Sequence, residues 1–217
     1  MYGISGIKYQ ENLERLALFN KKTAQILIGK TGDNLNKKIQ RLLNAGYLVN
    51  LKKGWYVSQP YINNLEDPTN YKEYLANQLR QPSYLSLEYM LAKYNLIPET
   101  IHSLTSITRK STRKYENGLG SFIYKNIKED LFCGYEKKEK RQFQIYQATK
   151  AKALFDYLYL KSNLGQDLTY ELRQGLRINW DEFSKNDREE FGQYVANTNM
   201  AKMKKALVII NNIKNVN

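Results

Sequence analysis

The sequence predicts an α+β protein with two domains, on three observations. Apolar residues recur at helical spacing through most of the first 45 residues. Short runs of strand formers follow after residue 46, and again between residues 103 and 146. The stretch at 58–70, rich in Pro, Asn and Asp, predicts a linker. We therefore expect one domain at residues 1–60 and a second, an α/β domain with a small sheet flanked by helices, at 70–217.

Three helices are predicted at the start of the chain. They cover residues 9–18, 21–29 and 33–45, with Gly29 ending the second and Gly46 following the third. Asp33 or Asn34 is expected to be the N-cap of the third helix. This helix has an apolar face, formed by Leu35, Ile39, Leu42 and Leu43. Its opposite, polar face carries Lys37, Gln40, Arg41 and Asn44.

A small hairpin is predicted directly after the third helix. Its strands are residues 47–51 and 55–57, joined by Lys52-Lys53-Gly54, in which the glycine supplies the positive φ of a tight turn. Three helices followed by such a hairpin predict a winged helix-turn-helix, whose third helix enters the DNA major groove while the hairpin contacts phosphates. The residues predicted to bind DNA are Asn34, Lys37, Lys38, Gln40, Arg41, Asn44, Lys52 and Lys53.

Positive charge is concentrated in this predicted domain. The chain carries a formal net charge of +13. Its first 60 residues hold ten Lys or Arg residues against three acidic ones. Such an excess attracts polyanions and favours a nucleic-acid partner, the alternative being a basic protein without one.

The composition favours a cytoplasmic protein that does not enter a membrane. No run of residues approaches the ~18 apolar residues of a membrane span. The first residues lack the apolar segment of a signal peptide. The single cysteine, Cys133, cannot form a disulfide within the chain, which favours a reducing compartment.

In the second domain, helices are predicted first, then strands, and then helices again along the chain. Helices are expected at 71–80, 86–94 and 151–161, with Thr149 as a cap, and more helices from residue 169 on. Strands are expected at 103–108, 113–116, 121–125 and 143–146. Among the strand and turn residues, a second basic patch is predicted at Arg109, Lys110, Arg113 and Lys114, the alternative being a solvated edge.

No catalytic constellation is evident, so we expect neither an enzyme nor a bound metal or cofactor. The one histidine, His102, has no ligand-type neighbour in sequence, and Cys133 lies in an apolar segment. One alternative is a metal-dependent nuclease built on Asp130 and on the acid-x-Lys pattern of Glu136-Lys137-Lys138. The segment around these lysines instead predicts a solvated turn between strands. Many of the 18 tyrosines lie beside Leu and Ile and predict packing rather than base stacking.

Residues 82–135 contain five segments that together are typical of one known family. They are Ser83-Tyr84-Leu85-Ser86-Leu87-Glu88, Leu96-Ile97-Pro98-Glu99, Thr105-Ser106-Ile107-Thr108, the strand pair from Tyr115 to Tyr124, and the segment from Ile127 to Tyr135. Through these segments the chain resembles the core of the AbiEi-type antitoxins of type IV toxin–antitoxin systems. A later stretch, from Ala148 to Asp156, is similar to the helix that follows in that family.

The resemblance implies a two-domain repressor with a role in phage defence. Its winged helix-turn-helix would bind inverted repeats in the double-stranded DNA of its own promoter. Its C-terminal domain would carry the antitoxin activity against a nucleotidyltransferase toxin, without a stable complex between the two proteins. A stand-alone transcription factor of the same fold, without a toxin, remains the alternative.

Overall fold

A computed structural model describes residues 4–162 and 167–213 of the chain. The contacts between its residues divide the chain into two compact units. The first contains Met1–Lys72 and Tyr115–Ser121, and the second contains Glu73–Lys114 and Phe122–Asn217.

The first unit consists of helices and a three-stranded antiparallel sheet. Its helices are α1 (Ile4–Glu14), α2 (Lys21–Ile28), α3 (Gly32–Asn44) and α4 (Gln59–Asn63). Its strands are β1 (Phe19–Asn20), β2 (Leu48–Lys52) and β3 (Trp55–Ser58), in the order β1-β3-β2. The three predicted helices and the hairpin are therefore present, although α1 begins and ends earlier than the sequence pattern indicates.

The ends of α2 and α3 follow from local chemistry. Asn20 caps α2 by accepting a hydrogen bond from the Thr23 amide at 2.9 Å, and Gly29 ends the helix with φ 70°. The N-cap of α3 is Thr31, so the prediction of Asp33 or Asn34 is wrong. Gly32 has a positive φ that lets the chain turn into the helix one residue earlier. Asp33 consequently lies in the first turn, where the helix dipole favours an acid.

The hairpin turn is shorter than predicted. Lys52 belongs to β2 and pairs with Trp55, so only Lys53 and Gly54 form the turn. Gly54 has φ 74°, the conformation for which a glycine was expected at this position.

The predicted linker at 58–70 contains helical structure. Ser58 is buried and caps α4 through a hydrogen bond from the Tyr61 amide at 3.2 Å. Asp67 Oδ1 accepts from the amides of Thr69 and Asn70 at the start of α5 (Pro68–Leu79). Proline at the first turn of each helix is compatible with helix formation because the missing N–H would lack a helical partner there.

A mixed six-stranded sheet is the centre of the second unit, although its segment Tyr115–Ser121 belongs to the first unit. The strands are β4 (Ser83–Leu85), β5 (Leu104–Thr108), β6 (Arg113–Asn117), β7 (Gly120–Asn126), β8 (Tyr135–Lys140) and β9 (Phe143–Ala148). Their order is β6-β7-β5-β4-β9-β8. Strand β4 pairs antiparallel with β5 and parallel with β9, while β8 and β9 are antiparallel.

Two of these strands were not expected. Strand β4 has only three residues, too few for a period to show. Strand β8 replaces the predicted solvated turn: its charged residues lie at the sheet edge, where charge is compatible with a strand because one side is solvated.

Helices cover both faces of this sheet. The remaining helices are α6 (Leu87–Lys93), α7 (Lys150–Leu160), α8 (Leu168–Tyr170), α9 (Lys185–Ala196) and α10 (Ala201–Asn211). Ser83 bonds to carbonyls of α5, whereas its neighbour Tyr84 bonds to Asp156 of α7, and consecutive strand residues point to opposite faces. Thr149 caps α7 as expected, accepting from the Lys152 amide at 3.2 Å. Over the described ranges the protein is thus α+β, with ten α-helices.

None of the helices in the described part of the chain has the length and apolar character needed to cross a bilayer.

Candidate nucleic-acid interface

Helix α3 has one buried face, as the sequence predicts. Leu35, Ile39 and Leu42 are buried in a cluster that also contains Leu13 of α1 and Leu48 of β2. This packing fixes the rotation of α3 about its axis, because turning the helix would expose two leucine side chains and one isoleucine side chain to water. The opposite face is therefore held outward.

Most of the predicted DNA-binding residues of α3 lie on this outward face. Asn34, Lys37, Gln40, Arg41 and Asn44 are all exposed. The Gln40 amide donates to Asn44 Oδ1 at 2.8 Å, which orients these two side chains relative to each other. Lys38 is half-buried instead, with its ammonium 5.4 Å from the centre of the Tyr9 ring, so it lies at the border of the face.

The two lysines of the hairpin have different surroundings. Lys53 is exposed in the turn. Lys52 is half-buried, and its ammonium lies 4.7 Å from the centre of the Trp55 ring and 5.8 Å from that of Tyr115. Such cation–π contacts hold a lysine against the protein surface. The Asn117 amide also donates to the Leu51 carbonyl at 2.9 Å, which fixes the end of β2.

All four residues of the predicted second basic patch are exposed. Arg109 forms an ion pair with Glu129, and its guanidinium lies 5.7 Å from the centre of the Phe132 ring. Arg80 donates to the Ser111 carbonyl from Nη2 at 2.6 Å and from Nε at 3.0 Å, which holds the turn between β5 and β6. Glu129 therefore compensates the charge of Arg109, and the patch lies beside a turn that Arg80 holds.

The residues of the alternative nuclease site have other partners. Glu136 pairs with Lys138 at 2.8 Å, and Lys137 pairs with Glu139 at 2.8 Å. Asp130 is exposed in a 3₁₀ turn at Glu129–Leu131. Within residues 4–162 and 167–213, no three His, Cys, Asp or Glu side chains lie close enough to hold a metal ion together. His102 is exposed, and Cys133 is half-buried, which raises the pKa of its thiol.

A buried polar cluster in the second unit was not singled out in the sequence. Lys152 and Asp156 of α7 are both fully buried, and Lys152 Nζ donates to Asp156 Oδ1 at 2.6 Å and to the Leu131 carbonyl at 2.8 Å. The hydroxyls of Tyr84 and Ser86 donate to Asp156 Oδ2 at 3.0 and 2.7 Å. Burial raises the pKa of Asp156, and the donors around it oppose that shift.

The only sequence signal for this cluster is weak. Lys152 and Asp156 stand four residues apart in the apolar segment AKALFDYL, a spacing equally typical of a surface ion pair. The sequence does not indicate that β4 and the Leu131 carbonyl provide the remaining partners. A lysine and an aspartate within a largely apolar helical segment are unusual, because charged side chains are rarely buried unless they are paired.

Comparison with known proteins identifies no family: no family model matches the chain, and no curated protein matches it.

Proposed function

We propose that this protein is a DNA-binding transcriptional repressor whose first unit is a winged helix-turn-helix. The observation that carries the proposal is the division of α3 into two faces. Buried Leu35, Ile39 and Leu42 hold the helix in place, and exposed residues on the other side provide amide and guanidinium groups. These are the groups that read base edges in the major groove, which is wide enough to admit a helix.

The hairpin and the charge of this unit support the same function. Lys53 at the turn and Lys52 beside it would contact phosphates next to the site that α3 reads. The ten basic residues of the first 60 supply the sequence-independent attraction that nucleic-acid binding requires. In this proposal, Arg41 and Asn44 recognise the DNA sequence, and Lys52 and Lys53 position the protein on the duplex.

We further propose that the repressor acts as the antitoxin of a type IV toxin–antitoxin system. This role rests on the resemblance of residues 82–135 to AbiEi-type antitoxins. Segments that carry the resemblance also lie together in the second unit: Tyr84 and Ser86 from one segment bond to Asp156 from another, and Leu131 from a third bonds to Lys152. The proposed partner is a nucleotidyltransferase toxin that is counteracted without a stable complex.

The repressor function is tested by footprinting the purified chain on the DNA upstream of its own coding sequence. The expected result is protection of inverted repeats, which should require a higher protein concentration when Arg41 is replaced by Ala. Uniform, sequence-independent coverage of the DNA would contradict the proposal.

The antitoxin function is tested by co-expressing the chain with the neighbouring gene from a promoter that the chain does not control. Rescue of growth is expected, since the proposed antitoxin activity does not depend on promoter repression. Failure of rescue together with a positive footprint would leave the stand-alone transcription factor as the better description.

A further inference from the structure

A recess in the second unit is lined by three aromatic rings and by polar side chains. Its volume is about 320 Å³. Its lining includes Phe132, Tyr135, Tyr146 and Pro82, and the amide side chains of Gln78 and Gln81. This volume is at the lower end of the ~300–1,000 Å³ typical of small-molecule pockets, so it suits a ligand of one or two rings.

Two of the three rings of the recess are exposed to solvent. Tyr135 is 39% exposed and Tyr146 is 36% exposed. Their centres are 6.1 Å apart with an angle of 78° between the planes, and Phe132 lies 5.4 Å from Tyr135. An aromatic wall that faces water gains free energy when a flat, aromatic ligand stacks on it.

Tyr135 is held in position from its inner side. The fully buried Tyr84 ring lies 4.7 Å from the centre of the Tyr135 ring, with only 15° between their planes. Tyr84 is itself fixed, because its hydroxyl donates to Asp156 Oδ2 at 3.0 Å. The buried ion pair therefore supports the aromatic wall, and binding a ligand there would cost little side-chain ordering.

The amide groups of the recess provide both donors and acceptors. Gln81 Nε2 donates to Gln78 Oε1 at 2.6 Å, which uses one N–H of Gln81 and part of the carbonyl capacity of Gln78. The Gln81 carbonyl and the Gln78 amide N–H groups provide further hydrogen-bonding capacity. Adjacent donors and acceptors of this kind match the edge of a nucleobase.

The charge around the recess favours a ligand that carries phosphate. The Arg109 guanidinium lies over Phe132, and Lys137 of β8 is the cross-strand partner of Tyr146. Both cations pair with a glutamate, but of the net charge of +13 the first 60 residues account for +7, so an excess of +6 remains on the rest of the chain. A nucleotide is therefore attracted in a way that a neutral aromatic ligand is not.

From these observations we propose that the recess binds an unstacked nucleobase, supplied either by a free nucleotide or by a single strand. The base stacks on the ring of Tyr146, meets the nearly perpendicular ring of Tyr135 at its edge, and forms hydrogen bonds to Gln78 and Gln81. This site lies wholly in the second unit and does not rest on the duplex-binding function proposed for the first.

The test uses the full-length chain and fluorescence anisotropy at fixed salt. The probes are a labelled single-stranded 12-mer of deoxyadenosine, an abasic strand of the same length and charge, and unlabelled AMP as competitor. Stacking predicts that the normal strand binds about 5- to 100-fold more tightly than the abasic one. Competition by AMP would assign the site to free nucleotides, and its absence, with the strand preference retained, would assign it to single strands.

Four variants locate the site and separate it from the proposed duplex interface. Tyr146→Leu should remove most of the preference for the normal strand, while Tyr146→Phe should keep it because the ring remains. Tyr170→Leu is the matched control, since Tyr170 is 55% exposed outside the recess. Replacing both Lys37 and Arg41 by Ala should leave the preference unchanged, which separates this proposal from the proposed repressor function. Equal binding of the two strands, or equal losses in Tyr146→Leu and Tyr170→Leu, would overturn it.

Discussion

Lys152 Nζ lies 2.6 Å from Asp156 Oδ1, and neither side chain has any surface in contact with water. A buried charge of this kind is tolerated only while its partner is present. Tyr84 and Ser86 bond to the same carboxylate, and Tyr84 in turn stacks on Tyr135. The ion pair thus joins α7 to β4 and to the aromatic recess.

Asp156→Asn should therefore destabilise the second unit strongly. Removing one partner of a buried pair leaves the other charge uncompensated, at a cost of about 3–5 kcal/mol. The measurement is urea unfolding in a Trp55→Phe background, in which Trp180 is the remaining tryptophan and reports on the second unit. The double variant Lys152→Met, Asp156→Leu should lose less stability than Asp156→Asn, because no charge remains buried. If Asp156→Asn unfolds at the wild-type urea concentration, the pair does not hold the unit together.

Arg41→Ala should weaken operator binding by about 1–3 kcal/mol and relax its sequence preference, since the guanidinium is proposed to reach base edges. Folding should be unaffected, because Arg41 is exposed and lies opposite the buried face of α3. Titration of the operator and of a scrambled duplex measures both effects. Arg173→Ala removes the same charge from an exposed position in the second unit and is the control. Identical losses in the two variants would mean that only net charge matters.

Lys53→Ala should reduce the salt dependence of DNA binding on every sequence. One lost phosphate contact lowers the slope of log affinity against log salt by about 1. Lys52→Ala should have a smaller effect, because Lys52 is half-buried against Trp55. The exposed Lys205 of α10 provides the charge-matched control, Lys205→Ala. An unchanged slope in Lys53→Ala would show that the hairpin turn does not contact the backbone.

The Cys133 thiol should ionise at a higher pH in the folded chain than in the unfolded one. Burial disfavours the thiolate and raises the pKa of Cys133, although the Lys152 charge opposes this shift. Because the thiolate is the reacting species, the rate of alkylation by iodoacetamide should rise with pH through a midpoint above the ordinary value of about 8.5. The same chain in denaturing urea is the control, since it has a single cysteine. A folded-state midpoint at or below the unfolded one would contradict the prediction.

Most of the N-terminal elements could be predicted from the sequence because their signals are local. The apolar period of α3 identifies Leu35, Ile39 and Leu42 as buried, and it places Lys37, Gln40, Arg41 and Asn44 on the opposite side. Gly54 and the strand formers around it identify the hairpin. The cap of α3 was wrong because Gly32 starts the helix earlier than its polar residues indicate.

Tertiary structure decided the features that depend on distant partners. Lys152 and Asp156 have the spacing of a surface pair, and only their enclosure by other elements makes them a buried one, with Tyr84 72 residues away from Asp156 along the chain. The charged residues of β8 predict a solvated turn, and the segment is a strand because it pairs with β9. Tyr135 and Tyr146 likewise become one aromatic wall only through that pairing. A sequence pattern reports which face of an element is apolar, whereas the environment of a charge or a ring is set by the elements that pack around it.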